Sequence, residues 1–114
     1  MSQQVVEAGG ARHCVYVIRL RMEVAEVARF RNANPDRRLD KPCVYVGSTG
    51  RTPEERLQQH LNGYKASRLV RLFGVALVPR LYVRHNPMTS VGAREMEVAL
   101  AVRLRRRGYG VWQN

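Results

Sequence analysis

The chain is poor in cysteine, in carboxylates and in long apolar runs. Its two cysteines both lie in apolar strand patterns, which favours buried free thiols over a disulfide framework, and no zinc-ligand spacing is present. Apolar runs such as residues 98–102 are far too short to span a bilayer, and residues 1–8 lack the apolar core of a signal peptide. We therefore expect a cytoplasmic protein that makes no membrane contact.

The shortage of carboxylates leaves the chain strongly basic. Twenty Lys and Arg oppose nine Asp and Glu, which gives a net charge of +11 and a pI near 11. Such a surface is typical of a protein that binds a polyanion. Nearly all of the cations are arginines, whose planar guanidinium can engage two phosphate oxygens at once. The composition favours nucleic acid as the partner over a membrane surface, and also over a basic surface without a partner.

Three stretches of the chain have the alternation of β-strands. The sequence Cys-Val-Tyr-Val occurs in the first, residues 12–21, and again in the second, residues 43–46, which we expect Gly47 to end. Residues 75–84 predict a third strand. Because Pro79 removes a backbone donor inside it, this strand should be bulged or lie at the sheet edge.

Helical spacing is found in residues 22–31, 53–62, 64–73 and 89–107. Thr52 predicts the start of the second helix, because Glu55 stands three residues on and completes a capping box. Leu57 and Leu61 should mark the buried side of that helix. Gly108 should end the last helix.

The length of 114 residues suits a single domain with one core. We expect an α/β chain of the α+β type, with one domain over residues 1–114. Residues 1–10 should form a loose leader, and residues 22–41 an insertion between the first two strands. Residues 109–114 contain the only tryptophan and are expected to pack against the domain.

One carboxylate, that of Glu97, lies on an apolar helix face. On a helical wheel it falls within the stripe that includes Leu100 and Leu104, whereas Glu95 falls on a more basic side. A carboxylate on such a face must be paired or hold a cation. This position favours two interpretations equally: the carboxylate forms an ion pair with an arginine, or it holds a metal ion.

Tyr16 and Tyr45 occupy matching positions in the two similar strands, and Arg56 and His60 are one turn apart on the following helix. Taken singly, each of these side chains is more typical of a structural role. Grouped together, an arginine could hold a scissile phosphate while a tyrosine or histidine moves a proton. Lys65, Arg68, Arg71 and the turn residue Arg51 are the candidate contacts to the nucleic-acid backbone.

The motifs resemble those of the GIY-YIG endonuclease superfamily, which includes homing endonucleases, some restriction enzymes and the incision subunit of bacterial excision repair. The first motif is degenerate, with Cys where the family name has Gly. The residues that carry the resemblance are Cys14-Val15-Tyr16, Tyr45-Val46-Gly47, Arg56, His60, Glu97 and the terminal Asn114.

This resemblance implies a small sheet of three antiparallel strands flanked by helices, and hydrolysis of a phosphodiester with one Mg²⁺ or Mn²⁺ held by Glu97. Tyr16 would assist deprotonation of the attacking water. Tyr45 and His60 would contact the water or the phosphate oxygens, and Arg56 would stabilise the charge of the transition state.

DNA is favoured over RNA as the partner, and a protein partner is possible. Two other functions remain open at this point: a basic module that binds nucleic acid on the same fold without cutting it, and a structural protein of a ribonucleoprotein.

Overall fold

The computed structural model describes residues 11–113, so the expected leader, residues 1–10, and Asn114 lie outside the described residues. Within residues 11–113, four strands form one sheet in the order β3-β1-β2-β4. The strands are β1 (Cys14–Leu20), β2 (Cys43–Thr49), β3 (Gly74–Leu77) and β4 (Gly110–Trp112).

The sheet confirms the α+β fold but has one strand more than the three expected. β1 pairs antiparallel with β2 and with β3, whereas β4 pairs parallel with β2. β4 was missed because its three residues are too few to show an alternation. It is held through a side chain from a distant loop, since Asn34 Oδ1 accepts from the Val111 amide at 2.8 Å and Asn34 Nδ2 donates to the Val111 carbonyl at 3.0 Å.

Two strand boundaries differ from the predicted ones. β2 does not end at Gly47 but continues to Thr49, because Gly47 pairs with Tyr16 inside the ladder. β3 ends at Leu77, and Pro79 opens a short 3₁₀ helix instead of a bulge. The prediction that this strand lies at the sheet edge is confirmed.

The described residues contain four α-helices: α1 (Ala28–Ala33), α2 (Pro53–Leu61), α3 (Arg68–Phe73) and α4 (Ser90–Arg106). The predicted helix over residues 22–31 is divided by an extended backbone at Val27 into a 3₁₀ turn and α1. α3 begins later than predicted, because Lys65 has a φ of 45° and cannot continue a helix. No helix among residues 11–113 has the length and apolar character that crossing a membrane requires.

Capping residues fix where the two longest of the described helices, α2 and α4, begin. The capping box of α2 is formed as predicted, with Thr52 and Glu55 bonding each other's backbone amides. Thr89 caps α4, and Gly108 follows its end with a φ of 92°. The predicted stripe of α4 is buried at Leu100 and Leu104.

The core packs on both faces of the sheet and includes residues from the connection between β1 and β2. Val24 and Phe30, both from that connection, are fully buried in the same apolar cluster as β1 and β2. The cysteines are free thiols as predicted, with Cys43 buried and Cys14 half-buried.

The buried side of α2 was predicted only in part, because Leu57 packs against the core as expected and Leu61 does not. Leu61 is 38% exposed, whereas His60 is fully buried beneath the sheet. An imidazole can occupy this position because both of its nitrogens have partners, Tyr16 Oη and the Ser67 amide.

Candidate active site

One cavity of about 380 Å³ collects four of the predicted side chains: Tyr16, Tyr45, Arg56 and Glu97. They come from β1, β2, α2 and α4, so elements from widely separated parts of the chain build the cavity. The fifth predicted side chain, His60, does not line the cavity but is buried next to Tyr16, whose hydroxyl it contacts. The sequence did not indicate the remaining lining residues, which are Ser48, Arg94, Val98 and Gln113.

The Glu97 carboxylate is half-buried and accepts two hydrogen bonds from neutral side chains. Ser48 Oγ donates to Oε1 at 2.9 Å, and Gln113 Nε2 donates to Oε2 at 3.0 Å. Among residues 11–113 the one ion pair joins Arg38 and Asp40, so the alternative of an ion pair between Glu97 and an arginine does not hold for these residues.

Ser48 and Gln113 carried no usable signal in the sequence. Ser48 follows Gly47 directly, but the expectation that the strand ends at Gly47 had placed it in a turn. Gln113 reaches Glu97 only because β4 adds to the sheet.

A chain of hydrogen bonds from the Ser67 amide through His60 orients the Tyr16 hydroxyl. The Ser67 backbone N–H donates to His60 Nδ1 at 3.2 Å, so this nitrogen is the acceptor and the neutral ring carries its proton on Nε2. Nε2 lies 2.8 Å from Tyr16 Oη and therefore donates to it. His60 acts on Tyr16 as a hydrogen-bond donor, so the phenolic proton of Tyr16 points away from the imidazole and is donated to the neighbouring Tyr45 hydroxyl.

Burial keeps all three ring side chains uncharged at neutral pH. It raises the pKa of Tyr16, with a further contribution from the neighbouring Tyr45. Burial also raises the pKa of Tyr45, and the negative charge of Glu97 adds to the shift. Burial and the positive charge of Arg56 lower the pKa of His60 to about 4. The free protein therefore presents two neutral phenols, one of which, Tyr16, is hydrogen-bonded to a neutral imidazole.

The buried imidazole predicts that stability falls in mild acid. Below a pH of about 6.5 the unfolded chain binds a proton on His60, whereas the folded chain does not until about pH 4. Protonation therefore favours unfolding, and up to about 3 kcal/mol of the free energy of unfolding is lost as the pH falls through this window. Urea unfolding across the window measures this loss.

The matched variant for this prediction is His60→Gln, which should lose less stability over the same pH window than the wild type. A residual loss is expected from His85, whose pKa burial also lowers. If the two proteins lose the same free energy of unfolding, His60 is not the group that titrates.

Gly47 provides the space in which the Tyr16 ring lies. The two residues are opposite each other in the β1–β2 register. A Cβ atom at Gly47 would stand 2.6 Å from Tyr16 Cζ and 2.8 Å from Tyr45 Cε2, closer than real atoms approach. The glycine is required here by the close approach of the rings.

We expect Gly47→Ala to displace Tyr16, to break its bond with His60, and to destabilise the fold by about 1–3 kcal/mol, the usual range for overpacking. Urea unfolding measures this change. Gly92→Ala is the control, since its added carbon stands 3.1 Å from Thr89 Oγ1 and 3.7 Å from Met88 Cβ, farther than the ring atoms at Gly47, and should change stability by less than about 1 kcal/mol. Equal effects at the two positions would mean that the rings do not need the space at Gly47.

Arg56 is fixed by the loop that follows α2. Its Nη1 donates to Gln59 Oε1 at 3.0 Å and to the Tyr64 carbonyl at 3.2 Å, and its Nη2 donates to the Lys65 carbonyl at 2.7 Å. The positive φ of Lys65 belongs to this turn. A guanidinium held by backbone oxygens is oriented before any substrate arrives.

Arg56 also lines a second cavity of about 550 Å³, next to the first. Two of the predicted backbone contacts, Arg51 and Lys65, line this second cavity. The other two, Arg68 and Arg71, line a separate cavity of about 500 Å³. The structure thus places these four cations in two groups.

The donor set in the first cavity suits a single hard cation. Among residues 11–113 no group of three or more His, Cys, Asp or Glu side chains forms a ready cage for a metal ion. Mg²⁺ does not need such a cage, because it keeps several waters and is often held by one carboxylate together with phosphate oxygens of the substrate. Each Glu97 oxygen accepts one hydrogen bond and has a second lone pair left for a cation.

Comparison with known proteins gives one match. The family model of the GIY-YIG catalytic domain matches residues 12–98, well over half of the chain. These residues include the tyrosines, the arginine and the glutamate that line the first cavity. No curated protein and no solved structure matches significantly.

Proposed function

The chain belongs to the GIY-YIG family of nucleases, and from this premise we propose that it is a metal-dependent endonuclease that hydrolyses phosphodiester bonds, with DNA favoured over RNA. The observation that supports this most directly is the convergence of Tyr16, Tyr45, Arg56 and Glu97 on one cavity. A phenol can transfer a proton, and a fixed guanidinium and a metal-holding carboxylate can stabilise the charge that develops in phosphodiester hydrolysis.

The reaction adds water across one P–O bond. The water oxygen forms a new bond to phosphorus and gives up a proton, while the leaving oxygen keeps the electron pair of the broken bond and is protonated. One end of the cut strand then carries a phosphate and the other a hydroxyl. The protein must therefore remove one proton, supply another, and stabilise the negative charge that develops on the phosphate oxygens.

Glu97 is the residue that would hold Mg²⁺ or Mn²⁺, with Ser48 and Gln113 orienting its two oxygens. When bound there, the ion would supply positive charge that acidifies a water and neutralises phosphate oxygens. Arg56, which the following loop holds in place, lines the same cavity and would stabilise the same oxygens.

Tyr16 is our candidate for moving the proton of the attacking water. It is a neutral phenol in the free protein, so in this role it would pass its own proton to a phosphate oxygen or to solvent as it takes the proton of the water. His60 donates a hydrogen bond to Tyr16 Oη, and a donor stabilises the phenolate more than the phenol. This role for His60 differs from the direct contact with water or phosphate expected from the sequence, because His60 is fully buried. In the proposal, His60 positions Tyr16, and Tyr45 contacts the phosphate.

A non-catalytic nucleic-acid-binding module on the same fold is the second candidate. It is favoured by one observation: both Glu97 oxygens already accept hydrogen bonds, so the carboxylate is satisfied without a cation. The basic surface is equally consistent with either function.

The experiment that separates the two candidates is a cleavage assay on supercoiled DNA, linear duplex and RNA, with Mg²⁺ or Mn²⁺ and with EDTA as the control. A nuclease nicks or cuts at least one substrate only when the metal is present. Binding of nucleic acid without metal-dependent cleavage of any of them would instead support the binding module.

A further inference from the structure

A second basic cleft lies at the carboxyl end of α4, outside the cavities described above. It has a volume of about 430 Å³ and is formed by residues 33–38 and 105–109. Its charged lining consists of Arg37, Arg38, Arg105, Arg106, Arg107 and a single carboxylate, that of Asp36. We call this feature the arginine cleft. Much of it lies beyond the residues that match the family model.

The arginine cleft has a rigid floor. Arg105 Nε donates to Asn34 Oδ1 at 3.2 Å, and Arg105 Nη2 donates to the Val111 carbonyl at 2.9 Å. A Cβ atom at Gly108 would stand 2.5 Å from Arg38 Cδ, so the arginine stem lies directly on the glycine backbone. These contacts fix two guanidinium-bearing stems before a ligand binds.

Two further arginines of the cleft have no internal partner. Arg106 and Arg107 are exposed, and among residues 11–113 their side chains make no hydrogen bond or ion pair. The helix dipole attracts cations only within the last turn, so it cannot account for Arg37 and Arg38, which come from another segment. Asp36 and Asp40, the latter paired with Arg38, offset only part of the charge of the five arginines. The remaining positive charges repel one another unless an anion lies between them.

Two elements set the separation between the arginine cleft and the first cavity described above, which Tyr16, Tyr45, Arg56 and Glu97 line and which we call the catalytic cavity. Along α4, the eight residues from Glu97 to Arg105 span about 12 Å. Along the returning strand, the three residues from Gly110 to Gln113 span about 10 Å. Both elements therefore connect the cleft to the carboxylate of the catalytic cavity. At 3.4 Å per step, this separation equals about three to four base pairs of a duplex.

We propose that the arginine cleft binds a backbone phosphate of the substrate nucleic acid, about three to four base pairs from the bond in the catalytic cavity. The stated distance between the bound phosphate and the cut bond rests on the proposed function, although the binding itself does not depend on cleavage. Planar guanidinium groups from two segments suit the several oxygens of a phosphodiester.

The test compares the double variant Arg106→Gln/Arg107→Gln with the wild type. Both residues are exposed and have no structural bond, so the fold should be retained. Fluorescence anisotropy with a DNA duplex of about 20 base pairs, in EDTA, should show about tenfold weaker binding and a salt slope lower by about one. The single-turnover cleavage rate at saturating duplex should be unchanged.

Two controls isolate the arginine cleft. Arg19→Gln removes an exposed charge from β1, away from the cleft, and should change affinity by less than about twofold. Arg106→Lys/Arg107→Lys keeps the charge and should keep the salt slope. Thymidine monophosphate is the small-anion probe and should compete only weakly with the duplex.

Several results would overturn the inference. These are unchanged affinity and salt slope in the glutamine double variant, an equal loss with Arg19→Gln, or competition by the mononucleotide as strong as that by duplex. A slower cleavage step at unchanged affinity would also overturn it. Absence of cleavage in every protein, with the expected loss of binding, would refute the proposed nuclease and leave the phosphate site standing.

Discussion

Glu97→Gln should abolish metal-dependent cleavage while leaving nucleic-acid binding intact. The change keeps the shape of the side chain but removes the one negative charge that the described residues place in the catalytic cavity. A bound metal ion contributes several kcal/mol to stabilising the transition state, and each 1.36 kcal/mol is a factor of ten in rate. We expect a loss of at least about 1000-fold in the single-turnover rate.

Binding measured without metal should be equal or tighter in Glu97→Gln, because a charge that repels phosphate is gone. Glu95→Gln is the matched control, since Glu95 is an exposed carboxylate on the same helix and outside the cavity. It should cleave at the wild-type rate. If Glu97→Gln keeps more than about a tenth of the wild-type rate, Glu97 does not hold an essential ion.

The hydrogen bond from Ser48 to Glu97 predicts an intermediate cleavage rate for the variant that lacks it. Ser48→Ala leaves the carboxylate in place but removes the donor to Oε1. Groups that orient a metal ligand are worth about 10- to 100-fold in metal affinity or activity. Ser48→Ala should therefore lie between wild type and Glu97→Gln, and added metal should partly restore its rate.

Tyr16→Phe should slow cleavage by about 100- to 10,000-fold, the range for removing a proton-transfer group. The aromatic ring stays in the space above Gly47, and only the hydroxyl is lost. His60 Nε2–H is then left buried without its acceptor, which should also lower the free energy of unfolding by about 1–3 kcal/mol. Single-turnover kinetics and urea unfolding measure the two effects separately.

Tyr82→Phe is the control for Tyr16→Phe, because Tyr82 is also a buried tyrosine but does not line the catalytic cavity. It should leave the cleavage rate unchanged. Rates that fall equally in the two variants would show that loss of any buried hydroxyl, and not loss of the Tyr16 hydroxyl in particular, slows cleavage. A stable Tyr16→Phe protein that cleaves at the wild-type rate would assign the proton transfer elsewhere.

Features fixed by neighbours along the chain were predictable from the sequence. The capping box of Thr52 and Glu55 and the position of Gly108 after the last helix both depend on groups a few residues apart. β1 and most of β2 were also predictable, because their apolar alternation is strong.

Half of the residues that line the candidate cavity were indicated by the sequence, but the other half and the arrangement were not. The sequence indicated Tyr16, Tyr45, Arg56 and Glu97, and the fold brings these four to one cavity. It gave no indication that His60 would be buried. His60 and Tyr16 are 44 residues apart, and their bond forms only after the sheet and α2 have packed together.

Contacts between distant segments were decided by the tertiary structure alone. β4 forms because the chain turns back after α4 and because Asn34, 77 residues away, bonds Val111. That same return brings Gln113 to Glu97 and brings residues 33–38 beside residues 105–109 as the arginine cleft. The sequence by itself determined the charge, the caps and the candidate residues, because these follow from composition and local spacing. The tautomer of His60, the orientation of Glu97 and the position of the arginine cleft depend on pairings across the fold, which local spacing does not encode.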